Sequence, residues 1–134
     1  MTAKYYNPDK SPVASEWLAL SESERIRLVQ RYHTSARINM PNAKAHAAFH
    51  AIVENQIAMG FGPSCHAVER LQVEGLSRHE AIHAIGSIVA RHAYELLNAK
   101  HADSDAAQRH LHEAIDALTA RTWRASGNGG GDDG

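Results

Sequence analysis

A chain of 134 residues and 14.7 kDa makes one compact domain rather than two. Fourteen basic against fifteen acidic residues leave a formal charge of -1, so no broad basic field holds nucleic acid or an anionic membrane. The single cysteine, Cys65, excludes an intramolecular disulfide, and the count that stands out is histidine, with ten.

Alanine occurs 23 times and Val, Ile and Thr together 18 times, and no segment alternates polar and apolar residues over a strand's length, so the expected fold is all-α. Residues 1–14, with Pro8 and Pro12, read as an extended lead-in that ends at a Ser15 cap over Glu16-Trp17-Leu18. Their polar start has no apolar core of the secretory kind. Ser21-Glu22-Ser23-Glu24 is a capping box that opens a first helix with Ile26, Val29 and Tyr32 on one face, running to about Ala36.

Pro41-Asn42 restarts the chain into a second helix carrying Phe49, Val53 and Ile57, which Gly60-Phe61-Gly62-Pro63 breaks. Ser64 is the expected cap of a short third helix from Cys65 to Glu74, stopped by Gly75 as a C′ glycine. Ser77-Arg78-His79-Glu80 is a second capping box, and the helix it opens places Ile82, Ile85, Val89 and Leu96 along its buried stripe as far as about Lys100. A final helix from about Ser104 to Trp123 repeats Leu111, Ile115 and Leu118. The glycine-rich residues 125–134 read as a disordered tail, which leaves 15–124 as the helical domain, a bundle of four main helices plus one short one. The longest charge-free apolar stretch, Ala81 to Ala90, is far short of the ~20 residues a spanning helix needs. A reducing cytoplasm is the expected location.

The histidines are organised by these helices. Residues four apart advance by about 40° around a helix, so His46, His50 and Glu54 form one row at the edge of the second helix's apolar stripe. His79 and His83 form another row, followed on the same face by the small residues Gly86 and Ala90, which let a second helix come close. His79-Glu80-Ala81-Ile82-His83 matches H-E-x-x-H, in which two imidazoles one turn apart bind zinc and the glutamate activates a metal-bound water. With this composition about 0.05 such matches arise by chance. The metzincin position for a third ligand is Val89, and His92 and Glu95 lie on the far side of the helix. The remaining ligands are therefore expected from His46, His50 and Glu54, around a divalent metal ion: zinc or iron first, manganese or nickel on the same nitrogens.

Glu80 has a second reading as the N3 residue of its capping box, and edge-of-stripe histidines also occur as hydrogen-bonded core residues. His33, at the end of the first helix, lies within reach of the cluster but is also explained by the helix dipole. Cys65 beside His66 reads as a small apolar residue, and His101, His110 and His112 as surface residues. Arg70, Arg78, Arg91 and Arg109 form no run, which argues against nucleic acid.

The blocks Pro41-Asn42-Ala43-Lys44-Ala45-His46 through His50, Val53-Glu54-Asn55-Gln56-Ile57-Ala58, Leu71 to Gly75 and Arg78-His79-Glu80-Ala81-Ile82-His83-Ala84-Ile85-Gly86-Ser87, with Trp17 and Tyr32-His33, resemble a family of small bacterial helical domains of unknown function. The resemblance spans about residues 15–98. It implies a stand-alone helical cytoplasmic protein and matches His46, His50, Glu54, His79, Glu80 and His83 to family motifs without assigning them a chemistry.

The sequence thus points to a metal-binding helical domain, with His46, His50, His79 and His83 as ligands, Glu54 as a further ligand or an acceptor behind them, and Glu80 as the base of a metal-dependent hydrolase acting on a small-molecule or peptide amide or ester. A non-haem iron redox protein uses the same ligands. The reading from another class is a non-catalytic helical interaction or oligomerisation module with a histidine-rich polar core. Nucleic acid and membrane are not expected partners, and a homo-oligomer is compatible with either reading.

Overall fold

The computed structural model describes residues 5–35, 43–98 and 103–125. Among these residues every regular element is a helix, in the order α1 (Ala14–Ala19), α2 (Glu22–Ser35), α3 (Ala43–Ala58), α4 (Gly62–Val73), α5 (Arg78–Asn98), α6 (Ser104–Ala117) and α7 (Ala120–Ala125). The expected all-α class is met. The Pro41-Asn42 restart and the glycine-rich tail beyond Ala125 lie outside the described residues. Among the described residues no helix is long and apolar enough to cross a membrane.

Both capping boxes form. The Ser21 and Ser77 hydroxyls accept from the amides of Glu24 and Glu80 at 3.2 and 3.0 Å, and the glutamates accept in return from the serine amides at 2.9 and 3.0 Å. Gly75 has φ +110°, and the Leu76 amide reaches Leu71 O while the Gly75 amide reaches Gln72 O, both at 3.0 Å. This is a Schellman stop that a residue with a Cβ adopts only under strain.

Three expectations about helix ends are corrected. Ser15 lies inside α1 rather than capping it, because the Trp17 amide already donates to Val13 O at 2.9 Å. Ser64 lies inside α4, which begins at Gly62; its hydroxyl turns away from the helix start and donates to Gln56 Oε1 at 2.6 Å. The single final helix is two, because Leu118 is extended (ψ 132°) between α6 and α7. No glycine or proline causes that break. Arg70 of α4 donates to the carbonyls of Ile115 and Leu118 at 3.1 and 2.9 Å, and Glu74 accepts the Ala120 amide at 2.8 Å, so contacts from another helix satisfy the groups that the break exposes.

Two apolar cores result. Val53, Ala67, Leu71, Ile82, Ile85, Ile115 and Trp123 belong to the larger one, built by α3 to α7. Tyr6, Trp17, Leu20, Leu28, Val29, Ala47 and Ala51 make the smaller, between the N-terminal segment, α1, α2 and α3. Helix α3 contributes to both and packs on α1, α2, α4 and α5. In the segment before α1, Tyr6 and Pro8 are buried, Pro8 O accepts from Arg78 and Asp9 Oδ1 from the His79 amide, so residues 6–9 form a strap across the start of α5.

Candidate metal centre

Five imidazoles meet where α2, α3 and α5 come together. His33 comes from the last turn of α2, His46 and His50 from successive turns of α3, and His79 and His83 from the first two turns of α5. The two predicted rows therefore face each other, with the His50 and His79 rings stacked 5.3 Å apart and those of His46 and His83 4.1 Å apart. Gly86 faces α3, where an added Cβ would meet Val53 Cγ2 at 3.7 Å, an ordinary van der Waals contact, so the approach of the two helices does not itself demand a glycine. The fifth ring, His33, is 5% exposed and sits at the centre, 4.8, 5.3 and 5.5 Å from the rings of His46, His50 and His79. Its position on the α2 face after Val29 is visible in the sequence, but which helix that face meets is not.

Ring nitrogens of His33, His50 and His79 lie within 4.8 Å of one another, and so do those of His33, His46 and His83. Either group could hold a metal ion. Nδ1 of His33 bonds Val29 O at 2.8 Å. A carbonyl only accepts, so that nitrogen carries the proton and Nε2 keeps its lone pair for the cluster. That Nε2 is 3.2 Å from Nε2 of His46, close to the ~3.3 Å between two nitrogens bound tetrahedrally at about 2.0–2.1 Å. His46 is in turn 3.2 and 2.5 Å, through Nδ1 and Nε2, from Nε2 of His83. Nδ1 of His50 and Nε2 of His79 are buried and have no hydrogen-bond partner among the described residues.

The cluster is held neutral. Burial, followed by the repulsion of neighbouring imidazoles, pushes His46 to about 4 and His83 to about 2. Burial and His33 hold His79 at about 4, with Asp9 and Glu80 opposing. His50 is driven well below its ordinary value by burial and then by the other four rings. His33 is lowered by burial, less the help of its bond to Val29. Neutral imidazole is the form that binds a metal.

Glu54 does not join the nitrogens. Its carboxylate takes a two-pronged ion pair from Arg78, at 2.7 and 2.9 Å, and a hydrogen bond from the Tyr6 hydroxyl, all buried. The Tyr6 oxygen lies 2.8 Å from Nε2 of His50. Glu54 thus stands behind Tyr6 and His50, with both of its oxygens engaged by Arg78 and Tyr6. Arg78 also donates to Pro8 O at 2.9 Å, and the His79 amide donates to Asp9 Oδ1 at 3.1 Å, which fastens the strap over the site. Arg78 and Tyr6 are the participants that sequence reasoning missed. A carboxylate in a row beside an apolar stripe needs a buried cation, and that need was the available signal.

Glu80 Oε1 accepts the Ser77 amide in the capping box, so its carboxylate is held at the helix start. His66 and His110 are exposed, and His112 packs against Phe61 with ring centroids 5.1 Å apart; His101 lies outside the described residues. Cys65 has its thiol pushed up by burial and by Glu69, as suits an unreactive residue.

No protein family, curated protein or solved structure matches the chain.

Proposed function

We propose that this protein binds a divalent first-row transition metal ion, zinc or iron before manganese or nickel, through three or more of His33, His46, His50, His79 and His83. One observation carries the reading: Nδ1 of His50 and Nε2 of His79 are buried without a hydrogen-bond partner among the described residues, beside Nε2 of His33, whose lone pair the Val29 bond leaves facing the cluster. Buried polar atoms are nearly always satisfied, and an ion would satisfy these at once. Because His33 has one lone pair left and belongs to both groups, the two cannot each be completed around a separate ion. The reading is therefore one ion per chain.

Hydrolysis of an amide or ester extends this reading, with Glu80 as the base. It requires the Glu80 carboxylate to leave Ser77 and turn toward the ion. The rival is a non-catalytic helical module with a polar core, favoured by the direct contacts along His33, His46 and His83.

Metal analysis of the chain prepared without a polyhistidine tag, beside His50→Ala and His79→Ala, separates the readings. Metal binding predicts about one ion in the wild type; a loss in both variants assigns it to His33, His50 and His79, and an equivalent kept in both assigns it to His33, His46 and His83. Less than about a tenth of an equivalent in all three, after incubation with zinc or iron(II), would leave the polar-core module. In metal-loaded protein, Glu80→Gln that keeps the ion but abolishes turnover of a panel of esters and peptides supports Glu80 as the base; turnover that persists contradicts that role, and no turnover by the metal-loaded wild type contradicts hydrolysis.

A further inference from the structure

We propose that Tyr6 is a positioning residue which selects Nδ1 of His50 as the atom offered to the metal; this rests on the metal-binding reading above. The inference follows from where the protons must be. Glu54, paired through both oxygens with Arg78, only accepts hydrogen bonds. Tyr6 has a single hydroxyl proton, and it goes to Glu54 Oε2. The second contact of the phenol oxygen, 2.8 Å from Nε2 of His50, can therefore be a hydrogen bond only if the ring donates. A neutral imidazole has one N–H, so with that proton on Nε2 the lone pair lies on Nδ1, the buried nitrogen that lacks a partner among the described residues.

The chain Arg78, Glu54, Tyr6, His50 thus extends by one phenol the carboxylate–histidine arrangement that fixes ligand tautomers in metal sites. Were Nε2 left without its acceptor, the proton would be free to move to Nδ1 and block it. The phenol comes from the strap, and two further bonds fasten the strap to the start of α5. Pro8 O binds Arg78, and Asp9 binds the amide of His79, a second candidate ligand. The Tyr6 ring packs against Trp17, Tyr32 and His50 at 5.5, 6.3 and 5.4 Å between centroids. A phenylalanine there keeps the packing and removes only the hydroxyl.

Two measurements on the full chain test this. Long-range proton–nitrogen NMR of the metal-free wild type should show His50 as a single tautomer protonated at Nε2; an Nδ1-protonated ring would overturn the proposal without any variant. Competition titration with zinc alone should then give Tyr6→Phe an affinity about 10–100-fold below wild type, with Tyr5→Phe unchanged as the control. Equal affinity in Tyr6→Phe and wild type contradicts the role of Tyr6 and leaves the metal site standing. Failure of the wild type to bind zinc or iron(II) contradicts the metal site, and the role of Tyr6 with it.

Discussion

Glu54 and Arg78 are 1% and 7% exposed, and burying either charge alone is far costlier than burying the pair. Burial works against the charge of Arg78, yet Glu54 holds its ionisation above the usual range. Tyr6 is pushed well above the ordinary phenol value, first by burial and then by Glu54, so it remains a donor. The pair holds the strap and the tautomer of His50 together, so removing one partner is expected to be severe. Glu54→Ala should lower folding stability by about 3–5 kcal/mol, measured by urea unfolding of the metal-free protein. A loss below ~1 kcal/mol would mean that Arg78 finds water or another anion and that the ion pair does not fasten the strap. Glu54 was recognisable in the sequence as part of the His46–His50 row. Its partners were not, because Tyr6 and Arg78 are 48 and 24 residues away along the chain and nothing local specifies which side chain meets which.

At the scale of elements, sequence and structure agree where the signal is local. The two capping boxes and the Gly75 stop are set by hydrogen bonds within a few residues, and they form as read. The split between α6 and α7 depends on Arg70 and Glu74, more than forty residues earlier, so helical periodicity alone runs through it. His33 illustrates the same limit: its face is legible, whereas the burial of that face against α3 and α5 is a property of the assembled helices. Two glycines give opposite expectations. Gly75→Ala places a Cβ at φ +110° and 3.3 Å from Nη2 of Arg124, and should cost about 1 kcal/mol or more. Gly86 lies inside α5 with only ordinary contacts for a Cβ, at 3.7 and 3.9 Å, so Gly86→Ala should be neutral or stabilise by up to about 1 kcal/mol through helix propensity. Thermal unfolding of both variants checks this, and a loss at Gly86 equal to that at Gly75 would show that α3 and α5 are closer than these distances allow.

For the whole molecule, a seam of neutral imidazoles between two apolar cores makes stability depend on pH. The unfolded chain takes up protons near 6.5, whereas His46 and His79 stay neutral in the fold down to about 4. Above pH 6.5 both states are neutral and the full stability is present. Between about 6.5 and 4 the unfolded state binds more protons, so each such histidine removes up to about 1.4 kcal/mol per pH unit. Urea unfolding of the metal-free protein should therefore show stability falling steeply from pH 6.5 to pH 4, and a flat profile would contradict the buried neutral cluster. The same seam is the candidate metal centre, and its ligand shell can be read directly by X-ray absorption spectroscopy of the zinc-loaded, untagged protein. The account predicts three or more imidazole nitrogens at about 2.0–2.1 Å; a shell of oxygens without imidazole scattering, or no bound zinc at all, would contradict it.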